Sequence, residues 1–169
     1  MGATLSLAFR RCPSPVGVLT LVAAPRALVA ILWEQDNPDR VRLGPMEEQA
    51  DHPVLQETAA QLADYFAGRR RTFNLPLEFR GTPFQQAVWN ALLAIPFGET
   101  RSYGQIAQAL GRPSASRAVG AANGRNPISI VAPCHRVVGA KGALTGFAGG
   151  LEAKATLLAL ESPQQLALF

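Results

Sequence analysis

Residues 102–139 read SYGQIAQALGRPSASRAVGAANGRNPISIVAPCHRVVG, and the organisation of the C-terminal half follows from this stretch. Ser102 can cap a short helix from Tyr103 to Leu110, which Gly111 and Pro113 stop; Ser114 can then cap a second helix running to about Asn123. Two short helices joined by a tight glycine-containing turn form a helix-turn-helix pattern. Most helical hairpins bind nothing, so the composition of the second helix matters more than its presence. Ala115, Ser116, Arg117, Ala118, Val119, Gly120, Ala121 and Ala122 are nearly all tiny. They allow a close backbone approach to another surface and leave Arg117 as the one long projecting group. Tight packing in a core would use the same residues, one face serving each purpose. An arginine entering a minor groove or a base stack is an established use of such a side chain.

Beyond that helix, Asn126-Pro127 turns the chain into the apolar run Ile128 to Ala132, read as a buried strand, and at once into Pro133-Cys134-His135-Arg136-Val137-Val138. A thiol is a poor nucleophile until it ionises, and a neighbouring imidazole is the usual group to take its proton near neutral pH. Adjacent strand residues face opposite ways, so Cys134 and His135 meet only if the backbone turns or a water relays the proton. A water relay is the expectation. Either residue alone would more often be a buried packing residue.

Upstream, Thr82-Pro83-Phe84-Gln85 supplies a capping hydroxyl, a proline at the first helical position and a glutamine at the third. Phe84, Val88, Leu92 and Ile95 share one face of the helix that follows, and Pro96 and Gly98 end it. The domain boundary is placed near Gly81, giving an N-terminal domain over 1–80 and a C-terminal domain over 81–169. In the first half, Val18 to Ala23 and Ala27 to Trp33, preceded by the turn Ser14-Pro15-Val16-Gly17, predict a small antiparallel meander. Pro53 opens a helix with Leu55, Ala59, Leu62 and Phe66 on one face, closed by Gly68. Phe73, Leu75, Leu77 and Phe79 alternate, and Pro76 restricts that tract to an edge strand or an extended linker. The fold class is α+β.

Of 169 residues, 48% are hydrophobic and 17% charged, which describes an ordinary globular chain and excludes disorder. The net charge of +4 is uneven: residues 1–79 carry eight Lys or Arg against nine Asp or Glu, residues 80–169 eight against three. A basic half suits a polyanionic partner, although solubility alone would explain it equally well. No apolar run of about 18 residues is present, and the N-terminal stretch lacks the order of a signal peptide, so no membrane association and a cytoplasmic location are expected. Cys12 and Cys134, far apart in an intracellular chain, are read as reduced, and no role is assigned to Cys12. Two histidines without a close cysteine partner set argue against a metal site.

Three segments, GTPFQQAVWNALLAIPFGET (81–100), the quoted 102–139 and LTGFAGGLEAKATLLALE (144–161), resemble in order and spacing the O6-alkylguanine-DNA alkyltransferases, close to the bacterial Ogt type. Residues 1–80 resemble that family's N-terminal domain more loosely, through SPVGVLTL and the stretch from Leu62 to Gly68. The resemblance implies an RNase H-like N-terminal domain, and a helix-turn-helix, winged-helix-like C-terminal domain that carries the reactive cysteine. It further implies Cys134 as alkyl acceptor, His135 as water-mediated base, Glu161 as the carboxylate that orients and charges that base, and Asn126 as a brace beside the active-site strand. Tyr103 would donate a proton or hydrogen bond to the departing guanine. Arg117 would fill the gap left by a flipped nucleotide, with Ser114, Ala115, Ala118, Ala122 and Arg125 beside it on the DNA. Val137, Phe147, Ala148 and Gly149 would line the base pocket and its lid, Leu144 to Gly150. Phe147 stands where tyrosine is frequent and Ala148 where some members have serine, so hydroxyl contacts are lost there while stacking and backbone contacts survive.

The expected reaction is direct transfer of an alkyl group, a methyl above all, from O6-alkylguanine in DNA, with O4-alkylthymine as a second substrate. The lesion would be reached by minor-groove docking and nucleotide flipping. A thioether has no electrophilic carbonyl for water to attack, so each molecule reacts once, and neither cofactor nor metal is needed. Double-stranded DNA is the expected partner of a protein that is monomeric in solution, with cooperative assembly on DNA as an option. The competing readings are a non-catalytic alkyl-lesion-binding protein, which Cys134 argues against, and a helix-turn-helix transcription regulator, for which no dimer interface is evident. A cysteine hydrolase would need a distant histidine, and His52, the only other one, sits before Pro53 in a surface segment.

Overall fold

The computed structural model describes residues 6–139, 142 and 145–162; Leu144, at the start of the expected lid, lies outside them. The chain divides into two compact units, Met1–Phe79 and Arg80–Phe169.

The first unit is a four-stranded sheet in the order β3-β2-β1-β4 with one helix. Strands β1 (Leu7–Ser14), β2 (Gly17–Ala24) and β3 (Ala27–Leu32) form an antiparallel meander, and β4 (Met46–Glu48) adds to β1 in parallel, so the sheet is mixed. The second and third strands of the meander were readable from their apolar content; β1, with Arg10, Arg11 and Pro13 in it, and the short, exposed β4 were not. Val22, Ala24, Val29 and Ala30 pack with Leu7, while Leu19, Leu21, Leu28 and Ile31 are also buried, so both faces of the sheet are covered.

Helix α1 (Pro53–Phe66) packs against β1, β2 and β3. Its buried face is Leu55, Thr58, Leu62 and Tyr65, displaced from the expected line through Ala59 and Phe66, both half-buried. The helix can bury Thr58 because its hydroxyl donates to the Val54 carbonyl at 2.7 Å. The tract after it is extended: Leu77 bridges Leu28, and Leu28 N–H donates to Pro76 O at 2.8 Å. Buried Gln61 anchors the tract through both amide atoms, to Asn74 O at 3.0 Å and from Asn74 N–H at 2.9 Å.

The second unit is mainly helical: α2 (Pro83–Leu93), α3 (Tyr103–Ala109), α4 (Ser116–Gly124) and α5 (Leu151–Glu161). Capping boxes start α2, through Thr82 and Gln85, and α3, through Ser102 and Gln105. Trp89 of α2 is buried and donates its indole N–H to Ala122 O of α4 at 2.8 Å. A Cβ on Gly81 would fall 2.5 Å from the Trp89 ring, so glycine is required there by close approach. The second helix of the helix-turn-helix pair starts at Ser116, two residues after the expected cap. Its N-cap is Ala115, with no side-chain capping bond, because a turn from Arg112 O to Ala115 N–H occupies the preceding residues and leaves Ser114 exposed within it.

Ile128 to Ala132 is buried, as its apolar content requires, but it is not a strand. Backbone bonds from Val131 N to Ser129 O and from Ala132 N to Ile128 O close it into tight turns, with Ile130 at φ +74°. Strand pairing resumes only with the two-residue parallel ladder of β5 (Arg101–Ser102) and β6 (Val137–Val138).

Candidate active site

The β5–β6 ladder sets the site. It pairs Ser102 with Val138 and Arg101 with Val137, so Tyr103, at the head of α3, and the Cys134 segment, just before β6, leave neighbouring strands. Cys134, His135 and Arg136 form one 3-10 turn, and all three are buried. This corrects the expectation that the pair lies on a strand: the backbone does turn between the two side chains.

Asn126 holds the turns ahead of the cysteine. It is fully buried, its amide donates to Ala132 O at 2.8 Å, and its carbonyl oxygen accepts from Ile128 N–H at 3.1 Å, tying both ends of the 128–132 segment. Asn123, at the end of α4, is buried too and donates weakly to the Cys134 carbonyl at 3.5 Å.

Behind the cysteine stands a buried charge cluster. His135 Nε2 lies 2.8 Å from Glu161 Oε2, at the C-terminal end of α5, where Glu161 is only 2% exposed. Arg136, a residue to which the sequence reading gave no role, donates from Nε to Glu161 Oε1 at 2.8 Å, from Nη2 to Oε2 at 3.0 Å and from Nη1 to Ile95 O at 2.6 Å. Burial alone would raise the Glu161 pKa, but hydrogen bonds and charge from His135 and Arg136 outweigh it and hold the carboxyl at about 2. Burial lowers the pKa of His135 below the ordinary histidine value; Glu161 opposes that shift, while Arg136 and Lys154 add to it.

These directions fix the tautomer. An ionised carboxylate only accepts, so the imidazole nitrogen facing Glu161 carries the proton and Nδ1 of the neutral ring presents its lone pair. Nδ1 is buried and has no protein hydrogen-bond partner among the described residues. A base held neutral, oriented by a carboxylate and adjacent in sequence to a thiol is equipped to take the thiol's proton.

Tyr103 is half-buried, and its hydroxyl lies 2.5 Å from Thr145 Oγ1. Gly120 of α4 lies beside its ring, where a Cβ would make ordinary contact at 3.7 Å. Lys154, also unnoticed in the sequence, is fully buried on α5 and donates to Val137 O at 2.7 Å. Val137 therefore offers a carbonyl already engaged by a cation, with its side chain in the core. Phe147, Ala148 and Gly149 are all half-buried, and the Lys154 ammonium lies 5.9 Å from the Phe147 ring centroid.

On α4, Arg117 and Ala118 are exposed, as are Arg125 at its end and Ser114 before it, while Ala115 is half-buried. Ala122 is a correction: it is 3% exposed and its carbonyl accepts from Trp89, so it packs α4 onto α2 and presents no surface to a partner. Among the described residues, no group of three His, Cys, Asp or Glu side chains is placed to hold a metal ion. His52, in the first unit, caps α1, its Nδ1 accepting from Val54 N–H at 3.2 Å. Cys12 lies on β1, where burial pushes its thiol pKa up.

The arrangement sets a buried cysteine next in sequence to an imidazole paired with a buried carboxylate, in a helical unit that also carries a pair of short helices. Two family models then match along the chain: the ribonuclease-like domain of 6-O-methylguanine DNA methyltransferase over residues 8–79 and the DNA binding domain of the same family over residues 83–163. The chain belongs to the 6-O-methylguanine DNA methyltransferase family. It is 48% identical over 164 residues to a methylated-DNA–protein-cysteine methyltransferase of Mycolicibacterium paratuberculosis, covering 95% of this chain and 98% of that one. It is equally 48% identical over 150 residues to the constitutive methylated-DNA–protein-cysteine methyltransferase of Bacillus subtilis, covering 88% and 91%. Among solved structures, Mycobacterium tuberculosis OGT in complex with DNA matches with a TM-score of 0.83 and 46% identity, covering 96% of this chain and 99% of that one.

Proposed function

We propose that this protein repairs DNA by moving the alkyl group of an O6-alkylguanine onto Cys134 Sγ, once per molecule. The observation that carries the reading is the Glu161–His135 pair at 2.8 Å, which leaves a buried, neutral Nδ1 next to the Cys134 turn. The family membership and the DNA complex of the mycobacterial relative supply the substrate class.

His135 Nδ1 takes the thiol proton through one bridging water, and the imidazolium so formed is stabilised by the Glu161 carboxylate that Arg136 holds. The thiolate attacks the alkyl carbon, the carbon–oxygen bond breaks, and its electron pair leaves with guanine. Tyr103 donates to the guanine as negative charge develops on it. The product is a thioether, so the reaction stops at one turnover. Asn126 acts at a distance, keeping the turns ahead of Cys134 in place.

The target oxygen is hidden within the base stack, so the nucleotide must be extruded, at a cost of a few kcal/mol that is lowest for a weakly paired lesion. Arg117 fills the space left behind, with Ser114, Ala115, Ala118 and Arg125 along the minor groove. Phe147, Ala148, Gly149 and the Val137 backbone receive the base. Phosphate contacts of the basic half, residues 81–169, give affinity that falls with salt, and residues 1–80 support that half. Among the described residues no helix is long and apolar enough to cross a membrane. The cytoplasm is the proposed location, since a thiol consumed by its own reaction must be kept reduced. A lesion binder without chemistry would have no use for a buried carboxylate–imidazole pair beside a cysteine.

The test is incubation with a duplex oligonucleotide carrying one O6-methylguanine, followed by peptide mass spectrometry. One methyl on the Cys134 peptide and one guanine restored per protein are expected, with no transfer by Cys134→Ser. An unmodified Cys134, or more guanines restored than protein molecules present, would overturn the proposal.

A further inference from the structure

Three buried side-chain polar atoms lack a hydrogen-bond partner among the described residues: Arg70 Nε in the first unit, and Asn123 Oδ1 and His135 Nδ1 in the second. The last two belong to side chains that both attach to the Cys134 turn. His135 follows the cysteine within that turn, its ring pinned through Nε2 to Glu161 at 2.8 Å. Asn123, 6% exposed near the end of α4, reaches it through Nδ2, which donates to the Cys134 carbonyl at 3.5 Å.

The Asn123 amide cannot be turned over, because Oδ1 would then face that carbonyl, acceptor against acceptor. Its oxygen therefore points elsewhere, and no protein donor meets it there. Gly120, one turn earlier on the same side of α4, lies beside the Tyr103 ring, whereas the neighbouring Ala122 is turned to Trp89 of α2. Asn123 thus borders the space between Tyr103 and the Cys134 turn. A buried carbonyl oxygen without a donor is costly, and two acceptors beside one thiol are more than its single hydrogen can serve. A water molecule brings two hydrogens and keeps a lone pair for the thiol.

We infer that Asn123 is a positioning residue for the water that relays the Cys134 proton: its Oδ1 accepts one hydrogen of that water and His135 Nδ1 the other, which leaves the water oxygen turned to the sulfur. This rests on the reading of His135 as a base acting through water. In the relay the S–H bond breaks as an O–H bond forms, and the O–H bond facing His135 breaks as Nδ1–H forms. The sulfur keeps its electron pair as a thiolate. The water ends with two hydrogens, one now directed at the sulfur and one still on Asn123. While the proton passes, the water oxygen carries positive charge, which the Asn123 carbonyl dipole offsets.

The test has a structural arm and a kinetic one. A crystal structure of the unreacted protein, at a resolution that places waters, should show one water within hydrogen-bond distance of both Asn123 Oδ1 and His135 Nδ1; separate waters on the two atoms, or none on Oδ1, would overturn the inference. Asn123→Leu, which is close in size but accepts no hydrogen bond, should slow methylation of Cys134 by methyl iodide about tenfold or more at about pH 7, read on the Cys134 peptide by mass spectrometry. The deficit should shrink to within about twofold by about pH 10, where hydroxide ionises the thiol without a relay. Lys154, whose charge is felt at Cys134, and Arg136 and Glu161 behind His135 are common to both proteins and leave this comparison intact. With O6-methylguanine duplex the maximal single-turnover rate should fall by the same factor at an unchanged half-saturating concentration. A deficit that persists at high pH would mean a disturbed site, and a loss confined to the duplex would make Asn123 a contact of the substrate; either result overturns the relay role. If native protein reacts with methyl iodide as expected but takes no methyl from the duplex, the repair reading falls and the relay stands. Should Asn123→Leu fail to fold, the placement of the water decides alone.

Discussion

The two units solve the problem of an interior in opposite ways. Among the described residues, the first unit buries only Thr58 and Gln61 as polar side chains, and each is satisfied by nearby backbone; the rest of its core is aliphatic or aromatic. The second unit buries His135, Arg136, Lys154 and Glu161, with Asn123, Asn126 and Ser129 around them. A hydrophobic cluster of the same volume would often be at least as stable as such a set of charges. The difference therefore separates what the first unit is for, folding, from what the second is for: holding an imidazole neutral, a carboxylate ionised and an ammonium dry next to a thiol.

The strongest test of this contrast removes the carboxylate. Glu161→Gln should cost about 3–5 kcal/mol of stability, since it leaves the buried Arg136 uncompensated, and should slow methyl transfer on the order of 100-fold. It should also change how the protein responds to acid. Folded Glu161 and His135 both bind protons less readily than in the unfolded chain, so their stabilisation is complete at neutral pH and is lost on acidification. The loss begins as pH falls below the ordinary histidine value of 6.5, and the Glu161 share, about 3 kcal/mol, goes between about 4.5 and about 2. Urea midpoints measured from pH 7 to pH 3 should show the lower limb in the native protein and not in Glu161→Gln; parallel curves would break the comparison.

In the first unit, Leu21→Ala should cost about 2–5 kcal/mol by leaving a cavity beneath the sheet. Its pH profile should run parallel to the native one, and the folded fraction should transfer methyl at the native rate. A changed acid limb would show that the two interiors are not independent. The smallest effect on stability, under about 0.5 kcal/mol, belongs to exposed Arg117→Ala. Repair of duplex should nevertheless fall on the order of tenfold while reaction with free O6-methylguanine base is unchanged, as judged by Cys134 methylation. Equal losses on the two substrates would remove Arg117 from the extrusion step.

What could be read from the sequence follows the same division between local and distant causes. The capping box of α2 and the Ser102 cap of α3 were legible because Thr82 with Gln85, and Ser102 alone, meet the first backbone N–H groups of their helices within one turn; the answering Gln105 of α3 was not singled out. Strand β4 was not, since three exposed residues acquire strand geometry only by pairing with β1 far upstream. Cys134 and His135 stood out by adjacency. Glu161 was singled out through the resemblance alone, because a carboxylate at a helix end is ordinarily solvated and only the fold brings it to His135, 26 residues earlier. Arg136 and Lys154 escaped for a related reason: charged residues read as surface unless their partners are known, and theirs lie 25 and 17 residues away. A signal was present in Arg136, a lone arginine within the apolar run from Ile128 to Val138.

Ile130 adds one consequence. A β-branched residue in left-handed backbone, at φ +74°, costs on the order of 1–3 kcal/mol and persists only where its surroundings insist on it. Here the insistence comes from the Asn126 amide, which grips the chain on either side. The segment leading to Cys134 is thus a loaded spring with Asn126 as its catch. Releasing the catch would let the backbone relax and carry the sulfur out of register with its base, while every reacting group remained in the chain.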